Sequence, residues 1–249
     1  WMLGKFFFVI AATALLISAV SSAKAETMSN SLISFEEDVA KCRRSLRQYC
    51  AIVQKSDIDN KQRQQALEFI KEARKLWENI QSKYGTNPPA EYQKDTSFKF
   101  RLIDIANAID DMEKSLTDGD SRRSFMSCAY GCGLFVKMHQ ENGLVYAIDK
   151  LYAMRQTAKI AESILRTKGK DGVRGTISAL MNQRDELLLT PYPFSKDSSQ
   201  REKYINAIRK LSELIDEIAL SVNEKDEDEL AKIISTLVPC INIAYEIAL

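Results

Sequence analysis

The sequence predicts an all-α protein built as tandem up-down four-helix bundles, two related repeats of about four helices each. Gly and Pro are scarce, 9 and 5 of 249 residues, while the good helix formers Leu, Ala, Glu, Lys, Gln and Arg abound. Apolar residues recur three and four positions apart, which places them on one helix face. The pattern also runs through once and begins again. Shifted by 106 residues, Phe98, Leu102, Ile105, Ile109-Asp110, Met112, Ser115 and Leu116 fall on Tyr204, Ile208, Leu211, Ile215-Asp216, Ile218, Ser221 and Val222. The preceding loop recurs as well, Lys94-Asp95 and Ser97 being answered by Lys196-Asp197 and Ser199. With two residues inserted, Ser127 and Cys132 fall on Ser235 and Cys240.

The first helix carries Phe35, Val39, Cys42, Leu46, Tyr49 and Val53. Ser34 is its expected N-cap, with Glu37 completing a capping box. The second carries Leu67, Ile70, Ala73, Trp77, Ile80 and Tyr84 and stops at Gly85, ahead of Pro88-Pro89, because proline has no N–H to continue a helix. The third runs from Phe98 to Leu116. The fourth follows Asp118-Gly119 with Phe125, Cys128, Cys132, Phe135 and His139, and ends near Asn142-Gly143; a merger with the next helix through Gly143 is the alternative, costing only about 1 kcal/mol.

The fifth helix carries Ala147, Leu151, Met154, Ala158, Ala161 and Leu165, and the stretch from Gly169 to Gly175 breaks it. The sixth holds Ile177, Leu180, Met181 and Leu188, before Pro191 and Pro193. The seventh holds Tyr204 to Val222. The eighth holds Leu230, Ile233, Leu237, Ile241 and Ala244, with the acidic run Glu224 to Glu229 at its N-terminus, where negative charge is favoured. Pro239 is expected to kink it or end it early.

Residues 1–25 read as a cleavable signal peptide: Lys5 ahead of an uncharged apolar run from Phe6 to Val20, then Ala23-Lys24-Ala25. The run is shorter than the roughly 20 residues of a comfortable membrane span. Met2 is the expected natural start. Two units follow, 26–142 and 143–249. Export, to a periplasm or outside the cell, is the expectation, with no stable membrane insertion after cleavage. Cleavage removes Lys5 and Lys24 and leaves 33 basic against 34 acidic residues, a balance that gives no reason to seek nucleic acid. Arg43, Arg44 and Arg47 are expected on a solvated helix face.

In an exported chain, cysteines read first as a disulfide framework. In an antiparallel pairing of the first and fourth helices, Cys42 with Cys132 and Cys50 with Cys128 each sit about 3 Å from equal height, against about 9 Å for the crossed pairing. Both bridges, Cys42–Cys132 and Cys50–Cys128, are expected, and Cys240 remains a free thiol.

The fourth helix also gathers Met126, Met138 and His139 with its two cysteines, a conceivable soft-metal set. Covalent haem needs Cys-x-x-Cys-His, and this helix has Cys128-x-x-x-Cys132-Gly133. No nucleophile motif, zinc-helix motif or phosphate loop accompanies the single histidine. Asp104, Asp110 and Asp111 read as surface charge. Trp77, Tyr84, Tyr92 and the loop Thr190-Pro191-Tyr192-Pro193-Phe194 read as packing aromatics. The expectation is an exported, non-enzymatic helical-bundle protein that binds an unknown protein or small ligand and needs no cofactor. The alternative is a bundle that binds a transition metal or non-covalent haem through the fourth helix.

Overall fold

A computed structural model describes residues 28–55, 57–194 and 198–249. The signal-peptide reading of residues 1–25, and the Lys196-Asp197 part of the repeat, lie outside the described residues. The described chain is 84% helical with no strand.

Helix α1 (Asn30–Val53) begins one turn before the expected start. Ser29, not Ser34, caps it by accepting from the Leu32 amide at 3.1 Å. Ser29 is held in turn by Glu91, and Ser34 instead meets Lys83 and Tyr84 at the end of α2. Helix α2 (Asn60–Tyr84) starts on a complete capping box of Asp59 and Gln62. A short 3-10 turn, Ala90–Tyr92, leads into α3 (Phe98–Thr117) and α4 (Ser121–Glu141). Gly143, at φ 69°, ends the fourth helix rather than merging it with the next.

Helix α5 (Ala147–Leu189) absorbs the expected fifth and sixth helices. Only Gly169 interrupts it, at φ 67° and ψ −168°, so the break is a single residue and not the Gly169 to Gly175 stretch. Helix α6 (Ser199–Glu224) precedes α7 (Glu227–Ser235) and α8 (Leu237–Ala248). The expected eighth helix is thus split at Thr236, three residues before Pro239. Proline then sits in the first turn of α8, where its missing N–H costs nothing.

The described apolar residues form two cores. Helix α1 packs on α2 and α4, and α3 packs on the same two; Phe35, Trp77, Phe98 and Phe135 lie at the centre of this first core. Its deep polar tips are satisfied: Trp77 Nε1 donates to the Leu102 carbonyl at 2.8 Å and Tyr49 Oη to that of Met112 at 2.7 Å. The second core draws Leu151, Met154, Leu211, Ile215, Leu237 and Ile241 from α5, α6 and α8, with α7 against them.

The stretch Glu227–Ala248 is long and apolar enough by composition to cross a membrane, a feature to set beside the expectation of no stable membrane insertion. In the fold it is broken at Thr236, and Leu230, Ile234, Leu237, Ile241 and Tyr245 are buried in the second core.

Candidate functional site

The site is assembled where α1 and the end of α4 meet α5 and α8. Four charged side chains come from three helices: Glu36 and Arg43 from α1, His139 from α4 and Asp149 from α5. Arg43 projects from α1 beside the apolar stripe and is only 6% exposed. Its guanidinium lies over the Phe135 ring at 5.3 Å, donates to Tyr245 Oη at 3.2 Å and faces Asp149 Oδ1 at 3.6 Å. Asp149, in the first turn of α5, also meets His139 Nδ1 through Oδ2 at 2.6 Å. The other imidazole nitrogen, Nε2, faces Glu36 Oε2 at 3.3 Å without hydrogen-bond alignment. Tyr92 Oη donates to Glu36 Oε1 at 3.1 Å, and the Tyr146 ring packs edge-on against the imidazole.

Burial opposes a charge on His139, but Asp149 and Glu36 outweigh it and hold its pKa up, at about 9. At neutral pH the group is therefore two cations interleaved with two carboxylates. Such a network is stable while complete, because each buried charge has an opposite neighbour. Burial, reinforced by Glu36 and Asp149, also pushes the Tyr146 phenol up, so it stays neutral.

Beside this network a cavity of about 700 Å³ opens between the two cores. Val39, Ala40, Ala147, Ile148, Pro191 and Phe194 supply apolar walls, and Glu36, Glu37, Lys41, Arg43, Arg44, His139 and Tyr146 supply polar ones. Met28, Ile33, Val145 and Tyr192 line it while 42–57% exposed. The wall formed by the proline-rich loop is fixed from behind. Phe194 and Tyr192 stack edge-on against Tyr204, and Arg201 lies over Tyr192 at 4.1 Å and donates to the Phe194 carbonyl at 3.0 Å.

Of the α1 arginines expected on a solvated face, Arg44 is exposed, whereas Arg43 is buried and Arg47 is half-buried. Besides Arg43, Arg44 donates to the Leu249 carbonyl at 2.6 Å and Arg47 pairs with Glu246 at 3.2 Å. All three hold α1 to α8, and a helical period cannot reveal such partners.

Cys50 and Cys128 lie at disulfide distance, Cα to Cα 6.0 Å. The expected second bridge is absent, and Cys42, Cys132 and Cys240 are free thiols. The reason is azimuth rather than height. Cys42 and Cys50 are eight residues apart, about 80° around the helix; Cys50 faces α4, and Cys42 is left to face the Ala73 carbonyl of α2 at 3.5 Å. Cys132, one turn from Cys128, brings its sulfur within 4.8 Å of those of both Cys50 and Cys128. Among the described residues, this trio is the one group of thiols, imidazoles or carboxylates placed to hold a metal ion.

The metal set of Met126, Met138 and His139 is not brought together. Met126 is 61% exposed and Met138 is wholly buried in the first core. His139 is protonated below about pH 9, with no lone pair for a metal. Asp111 is not idle surface charge, since it accepts from Arg123 and Ser127, and Asp110 pairs with Arg74.

Glu36, Asp149, Tyr146 and Arg43 were not legible as site residues. Asp149 lies off the stripe of Ala147, Leu151 and Met154, on a side met by Arg43 of α1 and His139 of α4. A charge at the start of a helix reads equally well as a dipole partner.

The chain matches no protein-family model, no curated protein sequence and no solved structure.

Proposed function

We propose that this is an exported, non-enzymatic binding protein that takes a mostly apolar small molecule with one hydrogen-bonding end into the cavity between its two cores. The single observation that carries the reading is that cavity, whose volume of about 700 Å³ falls within the roughly 300–1,000 Å³ typical of small-ligand sites. Its apolar walls supply affinity. His139 Nε2 and Tyr146 Oη, buried at its wall without a hydrogen-bond partner among the described residues, supply orientation.

In this reading the chain is a tandem of two related four-helix units, 26–142 and 143–249, and the ligand sits in the seam between them. Support comes from the matched positions: Phe98, Met112, Ser115 and Leu116 in one core, and Tyr204, Ile218, Ser221 and Val222 in the other, are all buried. The second unit departs from the first in the break at Thr236. Export accounts for Cys50 and Cys128 at bonding distance, since such pairs persist in oxidising compartments.

Fluorescence titration with the neutral probe N-phenyl-1-naphthylamine tests the reading. The protein should bind one equivalent saturably, and Ala40→Trp, which fills the cavity from a half-buried wall position, should weaken binding at least tenfold with an unchanged melting temperature. Equal binding by both proteins would place the probe elsewhere.

A metal-binding reading retains one observation, the Cys50, Cys128 and Cys132 sulfurs within 4.8 Å. It requires all three to be reduced, and metal analysis of protein purified under reducing conditions decides it.

A further inference from the structure

A second cavity, of about 270 Å³, shares Arg43 with the larger one and is lined by residues of α1, α4, α5 and α8. Arg43 and Arg47 lie one turn apart on α1, and Arg155 and Lys159 one turn apart on α5; all four line this cavity, and among the described residues no carboxylate does. Like charges spaced four residues apart on a helix repel, and here two such pairs share one partly enclosed space. Aromatic rings hold the cations in place. Arg155 lies over Tyr152 and Tyr245, at 5.3 and 5.1 Å, and Lys159 lies over Phe125 at 5.7 Å.

Neutralisation within the protein is incomplete. Arg43 and Arg47 reach Asp149 and Glu246. Arg155 finds only the Asn242 amide oxygen, at 3.4 Å, and Lys159 has no ion pair among the described residues. The Nε atoms of Arg47 and Arg155 are buried without a hydrogen-bond partner among the described residues. Partial desolvation, together with the charges of Arg155 and Arg47, lowers the pKa of Lys159. A metal cation at the neighbouring sulfurs would add to this repulsion, whereas an anion relieves it.

We propose that this smaller cavity is a binding site for a small molecule carrying at least two negative charges on phosphate or carboxylate oxygens, gripped by Arg47, Arg155 and Lys159. Guanidinium groups match both oxyanions through paired N–H donors. The volume restricts the ligand to a compact one. Arg47, Arg155 and Lys159 line this cavity and not the larger one, so the proposal does not rest on what the larger one binds.

Calorimetric titration of the full chain with pyrophosphate and with citrate, in low-salt buffer free of other polyanions, tests this. Saturable one-site binding of at least one is expected, and the preferred one assigns phosphate or carboxylate chemistry. Lys159→Glu, at an exposed position, should weaken binding at least tenfold and leave the fold intact, and Arg155→Gln should do the same to binding. As a second readout, the bound anion should slow modification of Cys132, which lines the cavity, by the neutral reagent methyl methanethiosulfonate, mapped by peptide mass spectrometry. That protection should be lost in Lys159→Glu. Absence of binding by both anions, undiminished affinity in Lys159→Glu, or binding that leaves the Cys132 rate unchanged would each overturn the proposal.

Discussion

His139 and Asp149, ten residues apart, meet at 2.6 Å across the turn between α4 and α5, and Arg43 of α1 faces the other oxygen of the same carboxylate. One buried aspartate therefore joins the last turn of the first core to the first turn of the second, beside the larger cavity.

Stability should depend on pH through His139. Its folded pKa of about 9 lies above the free value of 6.5, so its contribution is fully present below pH 6.5 and is lost as pH rises through 9. The full loss is about 3 kcal/mol on an order-of-magnitude reading of that shift. Urea unfolding at pH 6 and pH 9.5 should show the fall, and His139→Gln should be less stable at pH 6 with little further fall between the two. An equal fall in the variant would assign the dependence elsewhere.

Arg43→Ala should cost about 3–5 kcal/mol, because it leaves the buried Asp149 carboxylate with His139 alone. Adding Asp149→Asn should recover part of that cost. A double-mutant cycle measures the coupling, and strict additivity would mean that the 3.6 Å contact carries no energy.

A non-reduced peptide map should recover the Cys50 and Cys128 peptides linked, and Cys42, Cys132 and Cys240 as thiols. Cys50→Ser should destabilise by about 2–4 kcal/mol, as expected for a bridge closing a long loop. A Cys42–Cys132 peptide would contradict the observed facing of Cys42 toward Ala73.

Gly169 and Gly175 should respond oppositely to alanine. At Gly169, φ is positive and a Cβ would lie 2.5 Å from Glu227 Oε1, so Gly169→Ala should lose about 1–2 kcal/mol. Gly175 is helical with open space around it, so Gly175→Ala should gain about 0.5–1 kcal/mol. Thermal unfolding distinguishes the two.

Helix content and most apolar stripes were legible because a 3.6-residue period is a local property of the chain. Phe35, Trp77, Leu102, Ile109, Leu211 and Ile241 are all buried where the period places them. The Gly85 and Asn142-Gly143 stops were legible for the same reason. The start at Ser29 was not, because Glu91, 62 residues away, holds that cap. The Cys50 to Cys128 proximity followed from helix heights, while the azimuth that excludes Cys42 needed the packing of α1 on α2 as well. The candidate site was largely illegible. Its charges stand off the apolar stripes, and their burial exists only once the two cores meet.

Amide chemical-shift mapping with N-phenyl-1-naphthylamine tests the larger cavity most directly. Saturable shifts are expected at Ala40, Tyr146, Ile148 and Phe194, which line it. Shifts confined to outward-facing apolar residues such as Leu189 and Leu220, 87% and 64% exposed, with the cavity amides unmoved, would contradict it.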